Sequence, residues 1–532
     1  MTPLYDSTTV ISMQIFKGTV ITCDDANSVY RYLIEDKGRI AFTGDELPAG
    51  YAKAPVTDLG GKALIPSFVD THTHFSSFAL FNAGLMLYSC PTNAEILKHV
   101  AEEAAAAKGK MLMGYGLSAH AVEEHCLVTR PQLDEAAGDT PVFLVKYDGH
   151  SCVVNSAVLK TLPVNIRGLR GFNADTGIMG QEAFFAVSSH ITKTVSPFDL
   201  VKNLIAAYAY LAEHGFGMVH TVTGVGFPLD LDVDIERWIG RGIGTGVQTR
   251  VFFQTMDVRK VKKRKLPRIG GCFATALDGC FGSLDAALHV PYEGTDNRGI
   301  LFYSDEEVEA FCKRANRAGL QIQMHAIGDA AFDQASRAIS SALKDFPRED
   351  HRHGIIHACL PTDRGMDLCA EYGIQIPVQP AFIDWKQEPT EYLESILGKR
   401  EAKLNPLKTF LDRGILISGG SDAPVTAPDA LAGICKACNH TQPEEALSIP
   451  DALKVFTLNG CKAAFDDKER GTLTPGKIAD MTVLSANPYA CTPETLSSLK
   501  VEGMFYRGEK YTPGNKPPIS TLIKGLCSSV PV

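Results

Sequence analysis

From about residue 196 the chain switches back and forth between two periodicities, and few architectures tolerate such a pattern. "SPFDLVKNLIAAYAYLAEHG" repeats apolar residues at three-to-four spacing, as a helix does, and "GMVHTVT" follows as a β-branched run. "DIERWIGRG" then precedes "TRVFFQT", and "GCFATALDG" reads as a further strand. "SDEEVEAFCKRANRAG" opens on Ser304 followed by acidic residues, the composition of a helix start, and leads into "LQIQMHAIGD". The alternation continues through "AAFDQASRAISSALKDF", "HGIIHACL", "DRGMDLCAEYG", "IQIPVQP", "PLKTFLDRG" and "ILISGGSDAP". Strands separated by helices pair in parallel, because the chain must cross over the sheet to re-enter it in the same direction. So many units predict an α/β chain whose strands close into a (β/α)8 barrel.

Polar residues stand at the ends of several of these strands. "LIPSFVD" runs into His72-Thr73-His74, and side chains at i and i+2 of a strand share a face. His325 ends "QIQMH", His357 ends "GIIH" and Asp422 follows "ILISGGS". With "LIPSFVD" as strand 1, the four runs from His325 onward are strands 5 to 8, which puts these polar residues on strands 1, 5, 6 and 8. The C-terminal strand ends of a barrel line its active-site mouth. Four imidazoles and a carboxylate gathered there suit zinc and its neighbours. A second H-x-H, His351 and His353 in "PREDHRHG", sits among charges after a proline and is predicted to be a solvated connection.

Composition excludes several functions. The 532 residues are 45% hydrophobic and 21% charged, enough for a large core. A formal net charge of -9 argues against nucleic-acid binding and against a basic membrane patch, and the basic run "RKVKKRKLPR" is predicted as a solvated loop. No apolar stretch reaches the ~18 residues of a membrane span, and "MTPLYDSTTVISMQ" lacks the layout of a secretory leader. The 14 cysteines are scattered through apolar segments, which points to reduced thiols in a cytoplasmic protein. Cys435 and Cys438, an isolated C-x-x-C, read as a helix segment.

The H-x-H after "LIPSFVD", the histidines of "MHAIGD" and "IIHACL" and the aspartate of "GGSDAP" follow the order of the metal motifs of the amidohydrolase superfamily, which this chain resembles. "PVFLVKYDGHSCVVNSAVL", "LDGCFGSLDAAL" and "GTLTPGKIADMTVLSANPY" are similar to the large members related to N-substituted formamide deformylases. The resemblance covers nearly the whole chain. It implies a composite β-sandwich from residues 1–63 and 468–532, a metal-dependent barrel over 64–467, and an insertion at about 80–195 that shapes the substrate pocket.

Binuclear members of that branch carry a carboxylated lysine on strand 4, in a K-x-x-x-D-G pattern. Counting back from Asp278-Gly279 puts Ala274 at that position, so the resemblance implies one divalent metal rather than two. Lys146 of "LVKYDGH" is a remote alternative bridge. In the mononuclear arrangement, His72, His74, His325 and Asp422 hold the metal, expected to be zinc, and His357 orients the water or polarises the carbonyl. Asp422 accepts a proton from the activated water and passes it to the leaving nitrogen. The implied reaction is hydrolysis of the C–N bond of an amide, N-formyl or N-acyl small molecule, with His150, Asn155 and Asp278 on the substrate side. A cyclic-substrate deaminase, a metal-dependent decarboxylase or a non-catalytic small-molecule-binding homologue would use the same residues. The family analogy also allows a homodimer.

Overall fold

Each of the strand-like runs after residue 196 forms a strand. The computed structural model describes residues 13–532 other than 52, 108, 225–226, 243–245, 515 and 529–531, so most of the stretch inspected for a leader lies outside the described residues. The barrel strands are β1 (Phe68–Thr73), β2 (Phe216–Thr223), β3 (Gln248–Phe253), β4 (Arg268–Ala276), β5 (Gln321–Ala326), β6 (Gly354–His357), β7 (Ile376–Val378) and β8 (Ile417–Gly419). β1 to β6 pair in chain order as one parallel sheet, and β7 pairs with β8. Parallel bridges from Gly354 to Gln375 and from Thr73 to Ala423 join the two pieces into a ring. Every residue of β1, β2 and β5 is buried, as strands covered on both faces must be.

The helices between them carry the capping signals read from the sequence. Ser304 accepts the Glu307 amide, and the Glu307 carboxylate accepts the Ser304 amide at 2.9 Å, closing a capping box worth about 1 kcal/mol. That helix (Asp305–Arg317) buries Val308, Phe311, Cys312 and Ala315 against the barrel.

Both chain ends meet in one seven-stranded mixed sheet. Its order is Glu509–Lys510, Val501–Tyr506, Met481–Leu484, Val56–Pro66, Gln14–Ile21, Val29–Asp36 and Arg39–Gly44. The sheet encloses its own core of Phe16, Leu33, Leu64, Met481 and Phe505, among others. Val56–Pro66 leaves this sheet and continues, after Ser67, directly into β1.

Between β1 and β2 the insertion builds a five-stranded sheet of its own. It runs in the order Ile178–Gly180, Ser151–Val154, Val142–Lys146, Leu112–Leu117 and Leu85–Met86, and a separate apolar cluster lies on each side. The turn after Val142–Lys146 delivers Tyr147, Asp148 and His150 to the barrel mouth.

Two expectations need correcting. The basic run is not a solvated loop: Val258–Lys263 is helical, and Arg268 is buried at the start of β4 with its guanidinium donating to the Ala464 carbonyl. His351 and His353 are not solvated either. Both are buried, and His353 Nδ1 accepts the Ile322 amide at 3.0 Å, supplying a partner at the start of β5. Neither takes part in the ligand cluster described below.

Candidate metal centre

His72 and His74 leave β1 on one side, and the segment after β8 brings Asp422 to meet them. His72 Nε2 lies 3.0 Å and His74 Nε2 3.3 Å from Asp422 Oδ1. Several bonds hold the two segments together. Asp70 accepts the His72 and Ser421 amides and the Ser421 hydroxyl, and the Asp422 amide donates to the His72 carbonyl at 2.8 Å. Gly420 permits the approach, because a Cβ there would stand 2.7 Å from the His72 nitrogen.

Asp422 and His357 have φ of 57° and 72°, in the left-handed region. Aspartate and histidine enter it more readily than most residues, at roughly 1 kcal/mol each. The bonds around them hold these backbones in that conformation, as is common where a side chain must be aimed.

A second group lies beside the first. Cys272 of β4 projects into the barrel, with its Sγ 3.3 Å from His72 Nε2, 3.6 Å from His325 Nδ1 and 3.9 Å from His357 Nε2. The far nitrogens of two of these rings have partners of their own. His325 Nε2 donates to the Gly279 carbonyl at 3.1 Å, and His357 Nδ1 donates to Gln379 Oε1 at 2.6 Å. These bonds assign the tautomers, leaving His325 Nδ1 and His357 Nε2 as bare lone pairs aimed inward.

The electrostatics follow from this packing. Burial alone would raise the Asp422 carboxyl, but the imidazoles of His72, His74 and His357 pull it well below the usual carboxylate range. Burial holds His72 below the ordinary imidazole value and His357 well below it, so His357 is neutral. For His325 burial is outweighed by Asp278 behind the ring, and its value is raised. Burial, with Asp422 nearby, pushes the Cys272 thiol well up.

These residues fit a divalent cation. His72, His74 and Asp422 offer three ligand atoms within 4.8 Å of one another, as do His72, Cys272 and His357. Asp422 Oδ1 is buried and, among the described residues, has no aligned hydrogen-bond donor despite its two imidazole neighbours. Converging acceptors without protons between them are what a cation satisfies.

The strand-end residues His72, His74, His325, His357 and Asp422 are therefore brought together, but two features differ from the sequence reading. His325 is turned toward Cys272 and His357 rather than grouped with His72, His74 and Asp422. The count that puts Ala274 in the bridging position assumes a regular strand. β4 bulges between Gly271 and Ala276, which pair with the adjacent residues Met324 and His325 of β5, so a fixed count back from Asp278 loses register. The β4 side chain that faces the imidazoles is Cys272. The "GGC" at the start of the bulge was the available signal.

On the substrate side the expectations separate. Asn155 is fully buried away from the cavity, where it caps Ser156–Thr161 and accepts the Val142 amide. Asp278 is also buried: it accepts the amides of Ala287, Ile327 and Gly328 and stands 3.5 Å from His325. His150 does line the cavity, 3.6 Å from Asp285. Lys146 is occupied at the rim, its ammonium 2.8 Å from Asp148 and donating to the Gly282 carbonyl.

The cavity reaches from His325, His357 and Asp422 outward. One wall is a stack: Phe382 lies nearly parallel to the His357 ring, and Trp385 nearly parallel to Phe382, with ring centres 5.1 Å apart in the second pair. The other end is polar. There Glu388 accepts from the Tyr147 hydroxyl at 3.2 Å, and burial, reinforced by Asp148, pushes its carboxyl up to about 7. Sequence reading did not single out Cys272, Gln379, Asp70 or Glu388.

Comparison with known proteins bears on this geometry. A family model described as the amidohydrolase family matches residues 55–510. The putative amidohydrolase YtcJ of Bacillus subtilis is 27% identical over 522 residues, spanning 91% of this chain and 96% of that protein. The N-substituted formamide deformylase of Arthrobacter pascens is 24% identical, spanning 93% of this chain and 97% of its own. Among solved structures, an uncharacterized metal-dependent hydrolase from Pyrococcus furiosus superposes with a TM-score of 0.71 at 24% identity, over 90% of this chain and 100% of that one, a likeness of fold.

Proposed function

Since the chain belongs to the amidohydrolase family, we propose that it is a hydrolase of a small-molecule amide, N-formyl or N-acyl compound, with a divalent cation, zinc, held by His72, His74 and Asp422. The observation that carries this reading is the meeting of two imidazoles and an unprotonated carboxylate at 3.0 and 3.3 Å on the rim of the barrel. The cation would supply Lewis acidity, which can bring the pKa of a water from about 15.7 to about 7.

The chain's own groups do the rest. Asp422 takes the water's proton at the oxygen not engaged with the imidazoles and hands it to the leaving nitrogen. Its depressed basicity makes it a weak base, which favours giving the proton up to the leaving nitrogen as the C–N bond breaks. His357 does not polarise the substrate carbonyl, because its cavity-facing Nε2 carries no proton. Its bare Nε2 instead adds a ligand atom beside His72. The Phe382 and Trp385 wall suits an apolar or planar substituent, while Asp148, His150 and Glu388 orient the polar end.

The relative from Arthrobacter pascens, an N-substituted formamide deformylase, supports N-formyl compounds as the first class to assay. Fourteen free cysteines suit a reducing cytoplasm, and among the described residues no helix is long and apolar enough to cross a membrane. The test is a panel of N-formyl, N-acyl and cyclic amides assayed with zinc restored after chelation. Cation-dependent amine release that Asp422→Asn lowers by a factor of about 10³ or more is expected, with the fold unchanged by circular dichroism. Full turnover in that variant, or a purified chain that takes up no cation, would sink the assignment. A deaminated ring or released carbon dioxide would move it to the deaminase or decarboxylase reading.

A further inference from the structure

Beneath the metal centre lies a layer of barrel interior whose polar atoms do not match one another. His220 of β2 is fully buried, and among the described residues neither of its ring nitrogens meets a hydrogen-bond partner. Gln323 of β5 is fully buried too and leaves both ends of its amide unmatched. Arg268 of β4 donates to the Ala464 carbonyl but leaves its Nε–H unmatched. His72 adds a fourth: its Nε2 faces Asp422, and its buried Nδ1 has no partner. Buried polar groups without hydrogen bonds are costly, and a folded chain rarely keeps several side by side uncompensated.

The strand register gathers these residues. Val219 pairs with Asp70 and Thr221 with Thr73, so His220 alone stands opposite both Thr71 and His72, a bulge in β1. Thr221 donates to Glu236 of the outer helix Leu231–Gly242, which leaves the neighbouring His220 facing inward. The Phe252 ring of β3 lies 6.3 Å from the His220 ring and 5.8 Å from the Arg268 guanidinium, so it joins the two. Gln323 shares a face with His325 two residues on, and its ladder partners Gly270 and Gly354 bring no side chains into the layer. Burial, with the Arg268 charge beside it, holds His220 down at about 3, so the ring is neutral and offers one N–H and one bare nitrogen.

We propose that this layer is a binding site for a small cluster of ordered waters, and that through one of them His220 holds the Nδ1–H of His72, fixing the ring whose Nε2 faces the cation. Water is the ligand that fits, because the unmatched atoms are of both kinds. Arg268 Nε, the Gln323 amide nitrogen and one His220 nitrogen donate, while the Gln323 oxygen and the other His220 nitrogen accept. An anion would meet bare acceptors, and a cation would meet the guanidinium. A buried water makes about three hydrogen bonds of both senses. Histidines that bind metals pass their second ring N–H to an outer partner, which sets the tautomer and raises the basicity of the ligand nitrogen. His220 is thus a positioning residue for the cation of the function proposed above, on which this inference rests.

The test needs no turnover. A high-resolution crystal structure of the zinc-loaded full-length chain should show ordered waters within about 3.2 Å of His72 Nδ1, His220 and Gln323. His220→Leu removes both nitrogens, and zinc affinity in competition with a chromophoric chelator should fall about 10–100-fold, while His220→Gln, which keeps a donor and an acceptor, recovers most of the loss. Melting of the cation-free chain separates this from a merely structural role, which would lower the melting temperature without an affinity change that glutamine rescues. A dry layer, with the side chains bonded to one another, overturns the proposal. Unchanged affinity in His220→Leu overturns it as well, and either result leaves the hydrolase reading standing. A wild type that takes up no zinc removes both. If His220→Leu does not fold, the waters of the wild type still decide.

Discussion

Replacing Glu388 by glutamine would measure how tightly the outer pocket is closed. The carboxyl has an ordinary value of 4.5 and is pushed up to about 7 in the folded protein, burial being the larger cause and Asp148 the second. A carboxyl whose folded value is raised adds its full stability below pH 4.5 and loses it as pH climbs through 7. A displacement of that size is worth at most about 3 kcal/mol. The pocket opens to solvent, which trims the figure to about 1–2 kcal/mol. An unfolding entropy of roughly 2.1 cal/mol/K per residue makes 1 kcal/mol worth about 1 °C in a chain this long. Glutamine keeps the shape and the acceptor for Tyr147 but cannot ionise. Glu388→Gln should therefore melt about 1–2 °C above wild type at pH 8.5 and within error of it at pH 5, by scanning fluorimetry in matched buffers. An advantage of the same size at both pH values would refute the account, since it would come from packing and not from the proton.

Two further variants probe residues whose roles the fold reassigns. Gln379→Leu removes the acceptor that fixes the His357 tautomer, so cation affinity should drop about 10–100-fold in competition with a chromophoric chelator; unchanged affinity would mean His357 is not a ligand. Asn155→Ala should lower stability by about 1–2 kcal/mol in urea unfolding and leave kcat/KM within a factor of two, because the side chain caps a helix and holds the Val142 amide. A large loss of kcat/KM without a loss of stability would return Asn155 to the substrate side.

The barrel was legible because every unit repeats one physical plan. Short β-branched runs, buried on both faces, alternate with amphipathic helices opened by serine, threonine or aspartate caps such as Ser304, Thr362 and Asp429. The strand-end ligands were legible for the same reason, since period two on β1 aims His72 and His74 together. What the sequence hid was local irregularity. Cys272 escaped because spacing rules assume a regular strand, and β4 is bulged. The insertion's sheet escaped because Leu85–Met86 and Ile178–Gly180 are too short to display a period. Asn155, in "DGHSCVVNS", looks from composition like a binding loop, and only the position of the Val142 amide reveals a cap. His351 and His353 sit among charged neighbours, and their burial depends on which elements pack over them.

The Asp70 clasp has a consequence for how the protein matures. The Asp70 carboxylate holds Ser421, 351 positions further along the polymer, so the group of His72, His74 and Asp422 is incomplete until the last barrel strand has docked on the first. Loading of that group must follow ring closure. Because the ion then binds only the finished ring, each one captured works as a latch on ring closure, and cells starved of it should accumulate protein that opens at the seam between β1 and β8 before it opens anywhere else.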